Sequence, residues 1–392
     1  MKSDDMKRFS WRRICCFVCV AAVTLGDDAM AATATRENFG TLADATPIPA
    51  VLLSNAHGMQ VRVIALGAAL QTVSVPDRQG KSENILLGYP HASRYLEKPQ
   101  FFGVTVGRYA NRIAKGRFVL DGRAYQLPLN DKTNSLHGGD RSLDKVVWSI
   151  DKISGNGGIA AVTLSYASPD GDMGYPGKVT FAATYSLDEH NRLSIDYRAK
   201  TDKPTIVNLT NHAYWNLSGE GAGSVMEHLL AIPADAYLPT DAGSIPTGEV
   251  RGVAGTAFDF RKPKPIGRDI RHGDEEQLVL AKGYDHNWVV AREVAREPRL
   301  VARVEDPHSG RALSLSSTQP GLQFYSGNFL DGTTSGPSGR LYRQGDAFVL
   351  EPQLFPDTPN QPAFGSARLD PGKEYRHLMI YEFSTAAAPQ SH

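Results

Sequence analysis

The sequence predicts an all-β protein, a sandwich or barrel built as a single domain. Three observations carry that prediction. Apolar and polar residues alternate with period two along many short segments. Turn signals such as Asp121-Gly122 separate one segment from the next. No long stretch keeps the 3.6-residue apolar period of an amphipathic helix.

Taken in order, residues 1–31 stand apart. Lys2, Lys7, Arg8, Arg12 and Arg13 precede the apolar run ICCFVCVAAVTLG, and Ala29-Met30-Ala31 supplies a small-residue cleavage site. That is the pattern of a secretory signal peptide, so cleavage is expected after Ala31 and the product in the periplasm or secreted. The run is shorter than the roughly 20 residues of a membrane-spanning helix, so no membrane association is expected after cleavage. The Arg12-Arg13 pair leaves the general secretory and twin-arginine routes both open. Residues 32–392 are the expected domain, with an ordered core from about 39 to 384. All three cysteines (Cys15, Cys16 and Cys19) fall in the leader, so the exported chain has no disulfide to lean on.

MQVRVIALG and LQTVSV read as the first strands of the domain, with short helices expected around Ala92–Leu96 and Asp274–Leu280. In GRFVLDGRAYQLPLN, Asp121-Gly122 turns Phe118 and Leu120 back against Tyr125, Leu127 and Leu129. In KVTFAATYSLDEHNRLSIDYRAK, Val179, Phe181, Ala183, Tyr185 and Leu187 share one face, as do Leu193, Ile195, Tyr197 and Ala199 after the Asp188–Asn191 turn. NLTNHAYWNLSG (208–219) also has a strand-like pattern, apart from the imidazole of His212. VARVEDPHSGRALSLSST gives a further hairpin, and the tail after Phe383 is expected to fray.

Charge excludes several partners. Of 42 basic and 42 acidic residues, removing the five and four in the leader leaves 37 against 38. A chain so balanced has no electrostatic reason to bind nucleic acid or an anionic membrane. Its oligomeric state, monomer or homodimer, stays open.

Functional side chains concentrate in six segments: GRYANRIAKGRF, NSLHGGDRSLDK, NLTNHAYWNLSG, GYDHNWVV, TQPGLQFYSGNFL and LEPQLFPDTPNQP. Taken singly, Arg112 reads as an ion-pair partner, His137 as a turn cap, Asp285 as a turn residue and His212 as a core histidine. Glu351 is harder to place, because a carboxylate ending the apolar run AFVL is costly to bury unless paired or used.

Together, in this order, the six segments resemble the aldose 1-epimerase (galactose mutarotase) family over about Phe39 to Phe383. The resemblance implies a large antiparallel β-sandwich, the galactose mutarotase-like supersandwich, with one open sugar cleft and no cofactor or metal. It implies an isomerase that interconverts the α and β anomers of free aldohexoses such as glucose and galactose. By motif, Glu351 is the implied general base, His212 the general acid, and His137 a second imidazole polarising the ring-oxygen region. Asn111, Arg112, Asp285 and Gln319 are the implied partners of the sugar hydroxyls, with Tyr214 beside them. Trp215 departs from the phenylalanine more usual in the family, which bears on pocket shape. Of Trp215, Phe324 and Tyr325, at least two are expected in the core instead of against a sugar.

Chemistry agrees with two proton carriers. Opening the ring requires a proton to leave the anomeric hydroxyl while another reaches the ring oxygen. Desolvation raises a carboxylate to useful basicity, and an imidazole with a pKa near 6.5 gives and retakes a proton. Three rivals stand beside this reading. A non-catalytic carbohydrate-binding protein needs no acid–base pair. A mutarotase for phosphorylated hexoses needs a cationic cluster. A metal hydrolase on His137, His212 and Asp285 or Glu351 lacks the H-E-x-x-H spacing.

Overall fold

The computed structural model describes residue 1 and residues 32–386; the expected leader, its cleavage site and the end of the tail lie outside the described residues. Residues 32–386 belong to one compact unit. Within it, strands arrange into a nine-stranded, a six-stranded and a five-stranded sheet with smaller ribbons, and every paired strand is antiparallel. The α-helices among the described residues are short, Arg94–Glu97 and Glu276–Ala281, both inside the expected regions or one residue beyond.

The alternating segments sit where the pattern puts them. Val179–Asp188 and Arg192–Thr201 form adjacent strands in register Leu187↔Leu193 and Tyr185↔Ile195. Their apolar face is fully buried while Lys178 and Arg198 face out. Asp121 and Gly122, both with positive φ (51° and 76°), close the Arg117–Leu120/Arg123–Gln126 hairpin. The first strand, Thr33–Thr41, starts before the expected 39, and the last, Tyr375–Thr385, holds register two residues past Phe383. Pairing with Arg311–Ser317 fixes that end, so fraying begins later than composition suggested.

The six-stranded sheet runs Tyr214–Trp215, Phe348–Gln353, Gly321–Tyr325, Asp285–Val289, Ala236–Leu238 and Arg251–Gly252. One face presents Trp215, Phe348, Leu350, Leu322, Phe324 and Trp288 to the main core, all 0–1% exposed. Period-two geometry then sends Tyr214, Val349, Glu351, Gln323, Tyr325, Asp285 and Asn287 to the other face.

The segment around His212 is not one strand. Thr210–Asn211 pairs with Thr105–Val106, while Tyr214–Trp215 pairs with Phe348–Val349. His212 lies at the handover between the two, its N–H donating to Val104 O (2.9 Å) and its carbonyl accepting from Gly103 N (3.0 Å).

Gly103 is the fixed point of that handover. Its φ is +68°, and a Cβ there would collide with the Leu70 carbonyl. Its own carbonyl accepts from Leu70 N (2.9 Å) and from Asn211 Nδ2 (2.7 Å). Gly103→Ala is therefore expected to lower stability by about 2–4 kcal/mol, from left-handed strain plus overpacking. Thermal unfolding of the two proteins measures it; an unchanged midpoint contradicts the close approach.

Candidate active site

The polar face of the six-stranded sheet forms one wall of a cavity of about 160 Å³, lined by residues that include Phe101, Asn111, Arg112, His137, Tyr214, Asp285, Tyr325, Phe329 and Glu351. Larger cavities of about 810 and 590 Å³ lie elsewhere, the first against Gly255–His272 and the second against Val207, Leu354 and Tyr375. Neither is lined by Glu351, His212 or His137, so the chemistry points to the small cleft.

Glu351 is 2% exposed on a strand whose six residues are all buried. Opposite it, His212 Nε2 stands 3.7 Å from Glu351 Oε1. That separation is longer than a hydrogen bond, so the two groups are neighbours without being locked to each other. Neither His212 Nδ1 nor Glu351 Oε2 has a hydrogen-bond partner among the described residues.

His137 completes the cluster from a loop. The Ser135–Leu136 strand pairs with Arg112–Ile113, which brings His137 beside Asn111. His137 N donates to Asn111 O (3.0 Å), and Asn111 N donates to His137 Nδ1 (3.1 Å). An imidazole that accepts at Nδ1 is assigned its proton on Nε2, so this ring offers the cleft a donor. The two imidazoles meet edge to face with centroids 5.1 Å apart. Asn111 (φ 63°) and His137 (φ 49°) both hold left-handed backbone, an uncommon state for non-glycine residues that clusters at functional sites.

Burial governs the electrostatics. Desolvation, helped by the like charge of Asp285 and opposed by Arg112, pushes the Glu351 carboxyl well above its ordinary 4.5. Desolvation depresses His212 to about 4. His137 is driven well below 6.5 by burial, then by His212 and Arg112. Asp285 is raised by burial, although Arg112 and the Gln323 amide (Nε2 to Oδ1, 2.7 Å) work against it. Arg112 bonds Asp131 through Nε at 2.7 Å, fulfilling the ion-pair reading, while still lining the cavity.

Most of the expected residues thus converge: Glu351, His212, His137, Asn111, Arg112, Tyr214 and Asp285. Gln319 does not. It lies before Pro320, outside the Gly321–Tyr325 strand, and lines the 590 Å³ cavity instead. Gln323 occupies the polar face, paired in register with Glu351. The signal was present, since Gln323 shares parity with Tyr325 and opposes Leu322 and Phe324. Asn208 and Asn211 do not orient the His212 ring. Their amides bind backbone, Asn208 Nδ2 to Ala110 O (3.3 Å) and Asn211 Nδ2 to Gly103 O (2.7 Å). Trp215 and Phe324 are core residues at 0% exposure, whereas Tyr325 faces the cleft. Phe101 and Phe329 line it too and were not anticipated.

His137, His212 and Glu351 bring ligand-type atoms within 4.8 Å of one another. A cation does not fit them well, because the Asn111 N–H holds the His137 proton on Nε2 and removes the lone pair a metal needs there.

A family model described as aldose 1-epimerase matches residues 49–382. The chain is 44% identical to galactose mutarotase of Rattus norvegicus over 352 residues, 90% of this chain and 99% of that one. It is 39% identical to aldose 1-epimerase of Escherichia coli over 342 residues, covering 87% and 96%. Among solved structures, galactose 1-epimerase from Lactobacillus acidophilus NCFM superposes with a TM-score of 0.79 at 31% identity, covering 91% of this chain and all of that one.

The raised Glu351 value has a consequence for stability. Relative to a neutral amide, burying this carboxyl costs nothing below its unfolded value of 4.5. The cost grows as pH rises from there toward the raised folded value. Glu351→Gln is expected to match the parent in thermal stability at about pH 4 and exceed it at about pH 7. A variant less stable than the parent at neutral pH contradicts a desolvated carboxyl.

Proposed function

The chain belongs to the aldose 1-epimerase family and interconverts aldose anomers, and from that premise we propose that Glu351 is its general base and His212 its general acid on free aldohexoses such as galactose and glucose. The observation that carries the assignment is the 3.7 Å approach of His212 Nε2 to Glu351 Oε1, with both side chains buried. The anomeric hydroxyl and the ring oxygen are bonded to the same carbon, so two proton carriers this close serve both oxygens of one pyranose.

The Glu351 carboxylate takes the proton from the anomeric hydroxyl, whose O–H electrons become the second bond of the aldehyde. The bond from the anomeric carbon to the ring oxygen breaks, and that oxygen keeps the electron pair and takes a proton from His212. Rotation of the aldehyde presents its other face, and the steps run backward. His137, with its proton on Nε2, donates to the ring-oxygen region. Asn111, Arg112, Asp285 and Tyr214 orient the hydroxyls, and Gln323 takes the place first given to Gln319. Arg112 is the one cation among the cavity-lining residues, and Asp131 already engages it, which leaves no guanidinium cluster to grip a phosphate.

Desolvation disfavours separated charge, so in the free cleft the single proton of the pair sits on Glu351 while His212 is neutral. A bound sugar moves it: the anomeric hydroxyl donates to the carboxylate, and the ring oxygen accepts from the imidazolium. The pair titrates as a unit. It holds one proton between the depressed His212 value of about 4 and the raised Glu351 value.

Residues 1–31 are proposed to export the enzyme, on the leader pattern and the absence of cysteine after residue 31. Fractionation with N-terminal sequencing is expected to find a chain starting at Ala32 outside the cytoplasm; a full-length cytoplasmic chain rules this out.

Polarimetry on fresh α-D-glucose and α-D-galactose tests the roles. Glu351→Gln and His212→Asn are each expected to lower kcat/KM by about 10²–10⁴-fold with folding intact. Gln323→Ala raises KM, and Gln319→Ala changes nothing. In the parent, kcat/KM falls as pH drops through about 4, when the pair gains a second proton, and falls again as pH rises through the Glu351 value. Full activity in both the Glu351 and His212 variants overturns the assignment.

A further inference from the structure

We propose that Phe101 is a positioning residue for the anomer exchange: its ring, turned over both His137 and His212 by a left-handed backbone, fixes the two imidazoles relative to each other and keeps water from them. This rests on the acid–base reading of His212 given above.

The geometry is specific. The Phe101 ring lies 4.8 Å from the His137 ring at 60° and 5.5 Å from the His212 ring at 35°. These are the separations of favourable aromatic contact, and one ring makes both. It lines the same cavity as Glu351 and lies at its rim, half-buried, next to Pro99 and Gln100.

The chain invests strain to place it there. Phe101 has φ +61°, a conformation uncommon in a bulky residue. The next residue explains how the strain is held. Phe102 is 1% exposed and packs edge-on against Tyr89 (5.1 Å), Tyr214 (4.9 Å) and Tyr342 (5.6 Å). Gly103 is then clamped between Leu70 and His212 by backbone hydrogen bonds. With Phe102 anchored inward and Gly103 fixed, the left-handed turn is what directs the preceding ring back over the histidines. Phe101 also packs against the edge of the core cluster that holds Phe102, so it is the contact of its ring with both imidazoles that sets it apart.

The ring also adds apolar cover to a cavity that Leu136 and Phe329 line as well. The titratable and charged groups facing the imidazoles are Glu351, Asp285, Arg112 with its partner Asp131, and the phenols of Tyr214 and Tyr325. All of these are polar at their tips. Among the cavity-lining residues Phe101 brings an apolar ring against both imidazoles, and burial is the first cause of the depressed values of both histidines.

The test measures the imidazoles directly as well as turnover. In Phe101→Ala, the titration of His212, followed by NMR of the ring protons, is expected to move up toward 6.5 by about one unit or more. The acid limb of kcat/KM moves with it, and kcat falls by about tenfold or more, because the imidazole is misplaced and wet. Phe101→Leu, which restores an apolar cover, returns the titration and the acid limb toward the parent. Repeating the NMR titration with Phe101→Ala in the Glu351→Gln background keeps the two readings separable. If the imidazole still shifts there, the proposal stands even should the acid–base assignment fail on activity. If Phe101→Ala leaves the titration unmoved, or lowers only thermal stability while the pH profile stays fixed, the proposal is overturned.

Discussion

The rest of the site follows from keeping a carboxyl group dry. Glu351 sits on a strand with no exposed residue, and its environment withholds the usual compensations. The nearest like charge, Asp285, opposes ionisation, and the nearest cation, Arg112, has its Nε committed to Asp131. A carboxylate in water is too weak a base for an alcohol, and one neutralised by a firm ion pair is weaker still. Burial without a partner is the remaining route to a basic carboxylate, and it works only if a proton acceptor stands close enough to let the charge form when substrate arrives. In the mechanism proposed above, the depressed, neutral His212 at 3.7 Å is that acceptor.

A group so expensive to bury needs a rigid support, and the six-stranded sheet supplies it by parity. Each strand that places Glu351, Gln323, Asp285 or Tyr214 on the polar face of the sheet contributes Leu350, Leu322, Trp288 or Trp215 to the core on the alternate position. The apolar face therefore locks the register, and a slip by one residue would expose tryptophan and bury charge. The same lock sets the spacing of the polar face. Loop residues complete the site where the sheets hand over, and three of them, Phe101, Asn111 and His137, hold left-handed backbone.

Parity also explains what was legible in the sequence. Hairpins with one wet face, such as Val179–Asp188 with Arg192–Thr201, announce both their existence and their register through alternation. Glu351 was legible because it interrupts an apolar run. Gln323 was equally legible by its phase with Tyr325, but the motif drew attention to Gln319 on the far side of Pro320. The loop contributions were not. Nothing local in NLTNHAYWNLSG tells that Asn208 and Asn211 serve distant backbone while His212 and Tyr214 turn to the cleft, because those partners, Ala110 and Gly103, lie about a hundred residues earlier in the chain. Phe101 was invisible for a different reason: two adjacent phenylalanines look alike, and only the sign of φ at the first sends them opposite ways.

The reaction has no preferred direction of large size, and this constrains the pair more than speed does. Whatever group takes the proton on ring opening must surrender it on closing, so neither partner can be a strong base or a strong acid in the cleft. Moving both ionisations by the same physical cause, loss of water, satisfies that requirement without fine adjustment. Desolvation raises the carboxyl and lowers the imidazole together, and each neutral form is left one proton transfer from its charged one. A cleft that instead stabilised the ion pair with further charges would hold the proton on His212 and lose the basicity of Glu351. On the proposed assignment, sparing use of charge is thus the functional feature, and the aromatic and apolar surroundings of the cleft belong to the chemistry as much as the two groups proposed to carry the proton.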